Sequence, residues 1–485
     1  MSNSPGASHG CGDPRARQAN SHSIITERLQ ALGSTSRLQF RFRIAALAIV
    51  ALLAVVAFGK SKQRSEPSSR VRLGLRLFQD ARFSSPQGDL QNSCSSCHLQ
   101  NEDPQGWRVH TDFFARSWVP FRTGDPRRDE LRNSPTILDA ALMPRLHFDG
   151  EFTSLEALVK GTLAGRPMGW LPGEEQQAFD RLRKVILSDK DQSGRRDSTY
   201  RAQFVAAFGV DPDKLTASQL GDQIAQAISD YMRTLKSRRT TAYDRFVQAN
   251  TLDGAPAAGE DAKSFAARLL AKIDKLEKSR ALKLSSAFDA DALSGMKTFF
   301  RTEGNDSAGN CVMCHTPPLF SDLSFHNMGI SQSEYDQVNG DGSFAELEIP
   351  GASAARRPSP RFRETPSRQK PGCADLGFWN FVDVKATQFR RAGETDDRFL
   401  QRMIGAFKTP TLRNLSFSYP YMHTGGFTTV ESALAELMRL SEMARAGKVR
   451  EGDEELARIR INEADIGVLV AFLNTLNEDM NNRKY

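Results

Sequence analysis

Two five-residue stretches constrain this chain more than anything else in it. They are Cys94-Ser95-Ser96-Cys97-His98 and Cys311-Val312-Met313-Cys314-His315, both of the form C-x-x-C-H. Two thiols three residues apart project from one face of a helical turn, so both reach the vinyl groups of a single haem and form thioethers. The histidine that follows lies beneath the ring, where an imidazole nitrogen donates to iron. On this reading Cys94, Cys97, Cys311 and Cys314 hold two covalently bound c-type haems, with His98 and His315 as iron ligands. A four-cysteine zinc site would use both pairs without either histidine, and zinc thiolate sites are commoner inside cells. Thioredoxin-like redox pairs want a βαβ setting, of which the sequence shows no sign. Two haems on one chain make an electron path, usable by a shuttle or by an enzyme.

Covalent haem of this type is attached outside the cytoplasm, and the N-terminus agrees with export. Residues 44–59 are apolar and uncharged, somewhat short of the roughly 20 residues of a comfortable span. Arg41 and Arg43 precede them, which places the N-terminus in the cytoplasm and the body outside. The segment reads as an uncleaved anchor or a signal h-region, with a buried core helix as the remaining alternative. The expected location is the periplasm, with the chain held at the inner membrane by this segment.

The formal charge of the 485 residues is +7, but residues 1–60 account for +5 of it. The other 425 carry 58 basic and 56 acidic groups, so the body has no electrostatic footprint for DNA or RNA. A content of 39% hydrophobic and 25% charged residues fits folded domains. Cys11 and Cys373 fall in different compartments, cannot pair within one chain, and read as free thiols.

Residues 1–43 are polar and aperiodic, a disordered cytoplasmic tail. An N-terminal haem c domain is expected over 66–246, a charged helical insertion over 250–285, and a C-terminal haem c domain over 286–480. The last contains a glycine- and proline-rich loop excursion over 331–405. Apolar spacing of three and four predicts helices over 154–163, 174–186, 217–235, 260–284 and 463–476, and period-two alternation is scarce.

The residues around the motifs go further. The first half has Leu73-Gly74, then Arg132-Asn133-Ser134-Pro135-Thr136, Phe148-Asp149-Gly150 and Ser154-Leu155-Glu156. The second has Gly295 with Phe299, Phe325-His326-Asn327-Met328-Gly329, Phe407-Lys408-Thr409-Pro410-Thr411-Leu412-Arg413-Asn414 and Tyr419-Pro420-Tyr421-Met422-His423. From about residue 71 to 478 the chain resembles the bacterial dihaem cytochrome c peroxidase family, which includes the methylamine-utilisation dihaem enzyme. The resemblance implies a mostly α fold of two cytochrome c-like haem domains in tandem, behind the N-terminal membrane or signal segment. It implies reduction of hydrogen peroxide at the first haem, with electrons from a small cytochrome or cupredoxin entering at the second. It also implies a calcium ion on Asn133 and the carbonyls of Ser418 and Pro420, and it is compatible with a homodimer.

Several positions depart from the family pattern. The family tryptophan before Asp-Gly is Phe148, its pocket glutamine falls on Leu158, and its acid–base glutamate falls on Pro167. Peroxide cleavage wants a group that shuttles a proton, which neither Leu nor Pro supplies. Glu174 and Glu175 are candidate replacements for the carboxylate, and Trp170 or Trp118 for the indole. These departures keep two alternatives open: a membrane-tethered electron-transfer protein, and an oxidase of a protein or organic substrate working through high-valent haem.

His110 reads equally as a removable ligand or a surface residue. His147 reads as a satisfied, partly buried histidine rather than a pocket group. His326 and His423 are expected to support the second haem through its propionates or nearby backbone. The family position for the second haem's sixth ligand falls on Leu437. Met438 follows it directly and is the expected thioether ligand, with Met443 or an open iron as alternatives.

Overall fold

The Ser68 hydroxyl accepts a hydrogen bond from the Val71 N–H at 3.3 Å, capping the first helix, α1 (Ser69–Phe78). In this computed structural model residues 67–478 are described, except 103–107, 113–121, 124–131, 191–197, 305, 355 and 387. Over 99–102 and 108–112 only the backbone is described. The expectations for the tail 1–43, the apolar run 44–59, Cys11, Trp118 and the His110 side chain lie outside the described residues. Among the described residues no helix is long and apolar enough to cross a membrane.

The fold is mostly helical. After α1 come α2 (Cys94–Cys97), α3 (Leu155–Leu163), α4 (Glu175–Ser188), α5 (Tyr200–Phe208) and α6 (Ala217–Met232). The predicted helices over 154–163, 174–186 and 217–235 are present within a few residues. The side chains of Thr216 and Gln219 form a reciprocal box that starts α6. Helices α1, α3, α4 and α6 bury Leu73, Leu77, Val159, Leu182, Ile224 and Ile228 in one cluster.

Next are α7 (Ala242–Ala249), α8 (Ala262–Lys278), α9 (Ala290–Phe300), α10 (Ile330–Asn339), α11 (Ser343–Glu346) and α12 (Asp396–Arg402). The chain closes with α13 (Val430–Arg445), α14 (Glu454–Arg458) and α15 (Glu463–Asn474). A second apolar cluster gathers Phe246, Phe265, Ile273, Met296, Phe299 and Phe472. Helix α8, expected as part of an insertion, buries Phe265, Leu269 and Ile273 in that core. Within 331–405 the helices α10 to α12 are joined by long irregular stretches, and a third cluster forms around Phe325, Phe378, Trp379 and Phe399.

The two main clusters share one packing device. A Cβ added at Gly74 of α1 would overlap the Ala227 carbonyl of α6. A Cβ added at Gly295 of α9 would overlap the Val468 carbonyl of α15 in the same way. Each glycine lets two helix backbones approach closely, and each pair frames the cluster that carries one C-x-x-C-H motif.

Strands are few, as the sparse alternation predicts. β1 (His98–Glu102) pairs antiparallel with β2 (Arg108–Asp112), and β3 (Phe325–His326) pairs with β4 (Phe407–Lys408). The second pair matters for position: it lays Lys408 beside Phe325, and the Lys408 N–H donates to the Phe148 carbonyl at 2.8 Å.

Candidate active site

Helix α2 is a single turn whose start is fixed by serines: the Ser93 N–H donates to the Ser96 hydroxyl at 3.1 Å. It presents Cys94 and Cys97, with His98 directly after, to a cavity of about 340 Å³. That volume lies within the range of small-molecule and cofactor pockets. Burial pushes the Cys94 thiol up to about 12 and Cys97 to about 11, so both are protonated at neutral pH. The second motif sits in a short turn, Cys311–Met313, where the His315 N–H donates to the Cys311 carbonyl at 2.8 Å.

The His315 ring is oriented by its own loop. Nδ1 lies 2.9 Å from the Phe320 carbonyl, to which it donates in the neutral tautomer, putting the ring's lone pair on Nε2. Burial holds the imidazole below its ordinary pKa and therefore neutral, the form that donates to a metal.

Among the described residues, the one place where three or more His, Cys, Asp or Glu ligand atoms converge is His147, Asp149 and Glu151. The two cysteine pairs therefore do not meet in a shared four-thiol site, which removes the zinc alternative. Cys94, Cys97, Cys311, Cys314 and Cys373 are all free of disulfides. A cavity beside one C-x-x-C-H motif, and a neutral, oriented histidine in the other, fit haem.

Phe148, Leu158 and Pro167 all line the first cavity, so the three departures from the family pattern fall where the chemistry would be. The proposed stand-ins do not. Glu174 makes a bidentate ion pair with the buried Arg122 at 2.8 and 3.0 Å and accepts the Leu171 N–H, which holds its carboxyl below the usual range. Glu175 accepts the Gly173 N–H and lines a separate cavity of about 480 Å³ with Trp170. The Trp170 indole N–H points to the Phe83 carbonyl at 3.4 Å, and the residue is absent from the first cavity's lining. Glu174 is thus a structural brace, and the carboxylate in the first cavity is one the motifs do not single out, Glu151. It follows Phe148-Asp149-Gly150 directly, so its place beside that motif was the available signal.

His147, expected to be a packed histidine, lines the same cavity, with Nδ1 3.3 Å from Glu151 Oε2. Behind these two runs a buried ion network. Arg132 forks onto Asp375 at 2.6 and 2.7 Å and also pairs with Asp149, while Arg363 reaches Glu151 at 3.2 Å. Burial would raise Asp375, but the Arg132 guanidinium outweighs it and holds the carboxyl low. The network ties the segment after the first motif to residues 363–375.

The Asn133 side chain donates to the Pro420 carbonyl, and its backbone N–H donates to the His423 carbonyl at 2.8 Å. The structure thus brings Asn133 and Pro420 together, while Ser418 closes the short turn Leu415–Phe417. The His423 ring stacks on Phe407 at 3.7 Å and faces Glu334 and Asp375. His326 is clasped between Asp322 and Asp453, both at 2.8 Å. Burial opposes its charge, but the two carboxylates raise its pKa far above the ordinary value. Helix α13 carries Leu437 and Met438 half-buried against the cluster that holds Cys311, while the Met443 sulfur accepts from Arg439 at 2.9 Å.

Comparison with known proteins completes the picture. Residues 68–251, which supply the first cavity's described lining apart from Arg363, match the di-haem cytochrome c peroxidase family. Over these residues the chain is similar to that family. It is an oxidoreductase, as are its relatives named cytochrome-c peroxidase and MauG. The cytochrome-c peroxidase IdrP1 of Denitromonas iodatirespirans is 26% identical over 410 residues, covering 84% of this chain and 81% of that protein. The methylamine utilization protein MauG of Paracoccus denitrificans is 24% identical over 479 residues, covering 90% and 95%. The solved diheme peroxidase BthA of Burkholderia thailandensis has a TM-score of 0.50 at 20% identity, covering 86% of this chain and 87% of that one; it shares the fold.

Proposed function

We propose that the chain is a member of this family and a periplasmic enzyme carrying two covalently attached c-type haems, which reduces hydrogen peroxide with electrons from a small cytochrome or cupredoxin. The observation that carries this reading is the 340 Å³ cavity bounded by Cys94, Cys97 and His98. Bound haem supplies a redox-active iron at which a peroxide oxygen is reduced. The chain supplies the rest. Cys94 and Cys97 anchor one ring and His98 ligates its iron; Cys311, Cys314 and His315 do the same for the second, where electrons enter. Apolar Phe148, Leu158 and Met168 limit water around the first ring. Relatives named cytochrome-c peroxidase support hydrogen peroxide as the oxidant and a redox protein as the donor.

Leu158 and Pro167 in the lining favour one competing reading, an electron-transfer protein without turnover of its own. Steady-state oxidation of a reduced small cytochrome by hydrogen peroxide separates the two. Turnover well above that of a His98→Ala control supports the peroxidase; turnover equal to the control contradicts it.

A further inference from the structure

We propose that Glu151 is the proton-accepting carboxylate of the first cavity, filling the role that Pro167 leaves vacant. The inference rests on the peroxide-reducing reading and deepens it.

Among the described residues that line the cavity, Glu151 is the sole carboxylate. Its position is set from two sides: His147 Nδ1 lies 3.3 Å and Arg363 Nη2 3.2 Å from it. Both contacts fall on Oε2, which leaves Oε1 without a partner among the described residues. The charged and titratable groups packed around it are His147, Asp149, Arg132 and Arg363. Burial raises the Glu151 pKa, but His147, Arg363 and Arg132 together outweigh it and hold the carboxyl below its usual range. At neutral pH it is a carboxylate, the form that accepts a proton.

The backbone supports a functional role. His147 adopts φ +63°, a left-handed conformation that costs a non-glycine residue about 1 kcal/mol or more. The turn is closed by a bridge between Leu146 and Phe152, with the Leu146 N–H on the Phe152 carbonyl at 2.8 Å. This turn holds His147 and Glu151 side by side at the cavity wall. A metal ion on His147, Asp149 and Glu151 is the competing use of the cluster. Arg132 on Asp149 and Arg363 on Glu151 already supply the positive charge that an ion would bring.

The chemistry balances. Glu151 accepts a proton from the peroxide oxygen that stays and returns it to the oxygen that leaves. The O–O bond breaks with its electron pair on the leaving oxygen, which departs as water. The remaining oxygen becomes the second water with two electrons from the donor redox protein and two protons from solvent.

The test uses the intact two-haem protein and a weak-acid probe that must surrender a proton on binding, hydrogen cyanide. Cyanide association with the oxidised protein, followed optically, is expected to slow at least tenfold in Glu151→Gln and to be largely retained in Glu151→Asp. In Arg363→Gln the carboxylate stays but loses the neighbouring cation that keeps its pKa low. The acid limb of the association rate, where protonating Glu151 slows binding, is then expected to move to higher pH. Unchanged association in a folded Glu151→Gln overturns the proposal. Where that variant does not hold its haem, an unmoved acid limb in Arg363→Gln overturns it instead. A wild type that shows this Glu151-dependent binding yet turns over no peroxide overturns the peroxidase reading and leaves the assignment of Glu151 standing.

Discussion

The backbone N–H of Lys408 donates to the carbonyl of Phe148 at 2.8 Å, so the short strand after the second motif is tied to the wall of the first cavity. The Lys408 side chain is itself only 9% exposed. Burial pushes its amine down to about 8, although Asp149 pulls the other way.

That burial has a cost that depends on pH. Below about 8 the amine is charged in both the folded and the unfolded chain, and the desolvation penalty is fully present. Between about 8 and about 10.5 the unfolded chain binds more protons, so stability rises with pH across that window. Lys408→Met is expected to stabilise the protein by about 3 kcal/mol at pH 7, with the advantage shrinking by pH 10. Urea midpoints at the two pH values check it.

Arg132 carries the buried ion network, with Asp149 fully buried and Asp375 3% exposed. Removing the guanidinium strands two buried carboxylates, a loss of about 3–5 kcal/mol. Arg132→Gln is expected to lower the unfolding free energy by that amount, and Asp375→Asn added to it is expected to recover part of the loss. Non-additivity of the two changes in a double-mutant cycle checks the coupling.

The glycine contacts make a further prediction. Gly74→Ala and Gly295→Ala each force a methyl group against a helix carbonyl rather than against a flexible side chain. Overpacking of this kind costs about 1–3 kcal/mol. Both variants are expected to unfold at lower denaturant concentration, while Gly467→Ala, with open space at the added Cβ, is expected not to be sterically strained.

Sequence periodicity located helices such as α3, α4 and α6 because their apolar faces repeat at three and four within a single segment. The haem motifs were legible because their chemistry is local, five residues long. The carboxylate was not. Glu174 looked suitable by proximity in the chain to Pro167, but its partner Arg122 lies 52 residues away and takes both oxygens. Glu151 stands beside the Phe148-Asp149-Gly150 motif, but Arg363, which helps to set its position, lies 212 residues later. The Arg132–Asp375 pair spans 243 residues and leaves no periodic trace. Short-range pattern carries elements and attachment motifs; the electrostatics of the cavity are made by distant pairs.

Met438 stands on α13 directly after Leu437, half-buried against the cluster that holds Cys311. With Met438 as the sixth ligand of the second haem, the oxidised protein is expected to show the weak near-infrared thioether-to-iron band. The band is expected to vanish in Met438→Ala. A band that survives the substitution contradicts this assignment.

The most direct measurement starts from the fully reduced two-haem protein mixed with one equivalent of hydrogen peroxide and no donor. Both haems are expected to be oxidised in a single rapid phase, two electrons per peroxide, and His98→Ala is expected to lose that rapid phase. Haems that stay reduced in the wild type, or that oxidise equally fast in His98→Ala, would contradict peroxide reduction at the cavity of Cys94, Cys97 and His98.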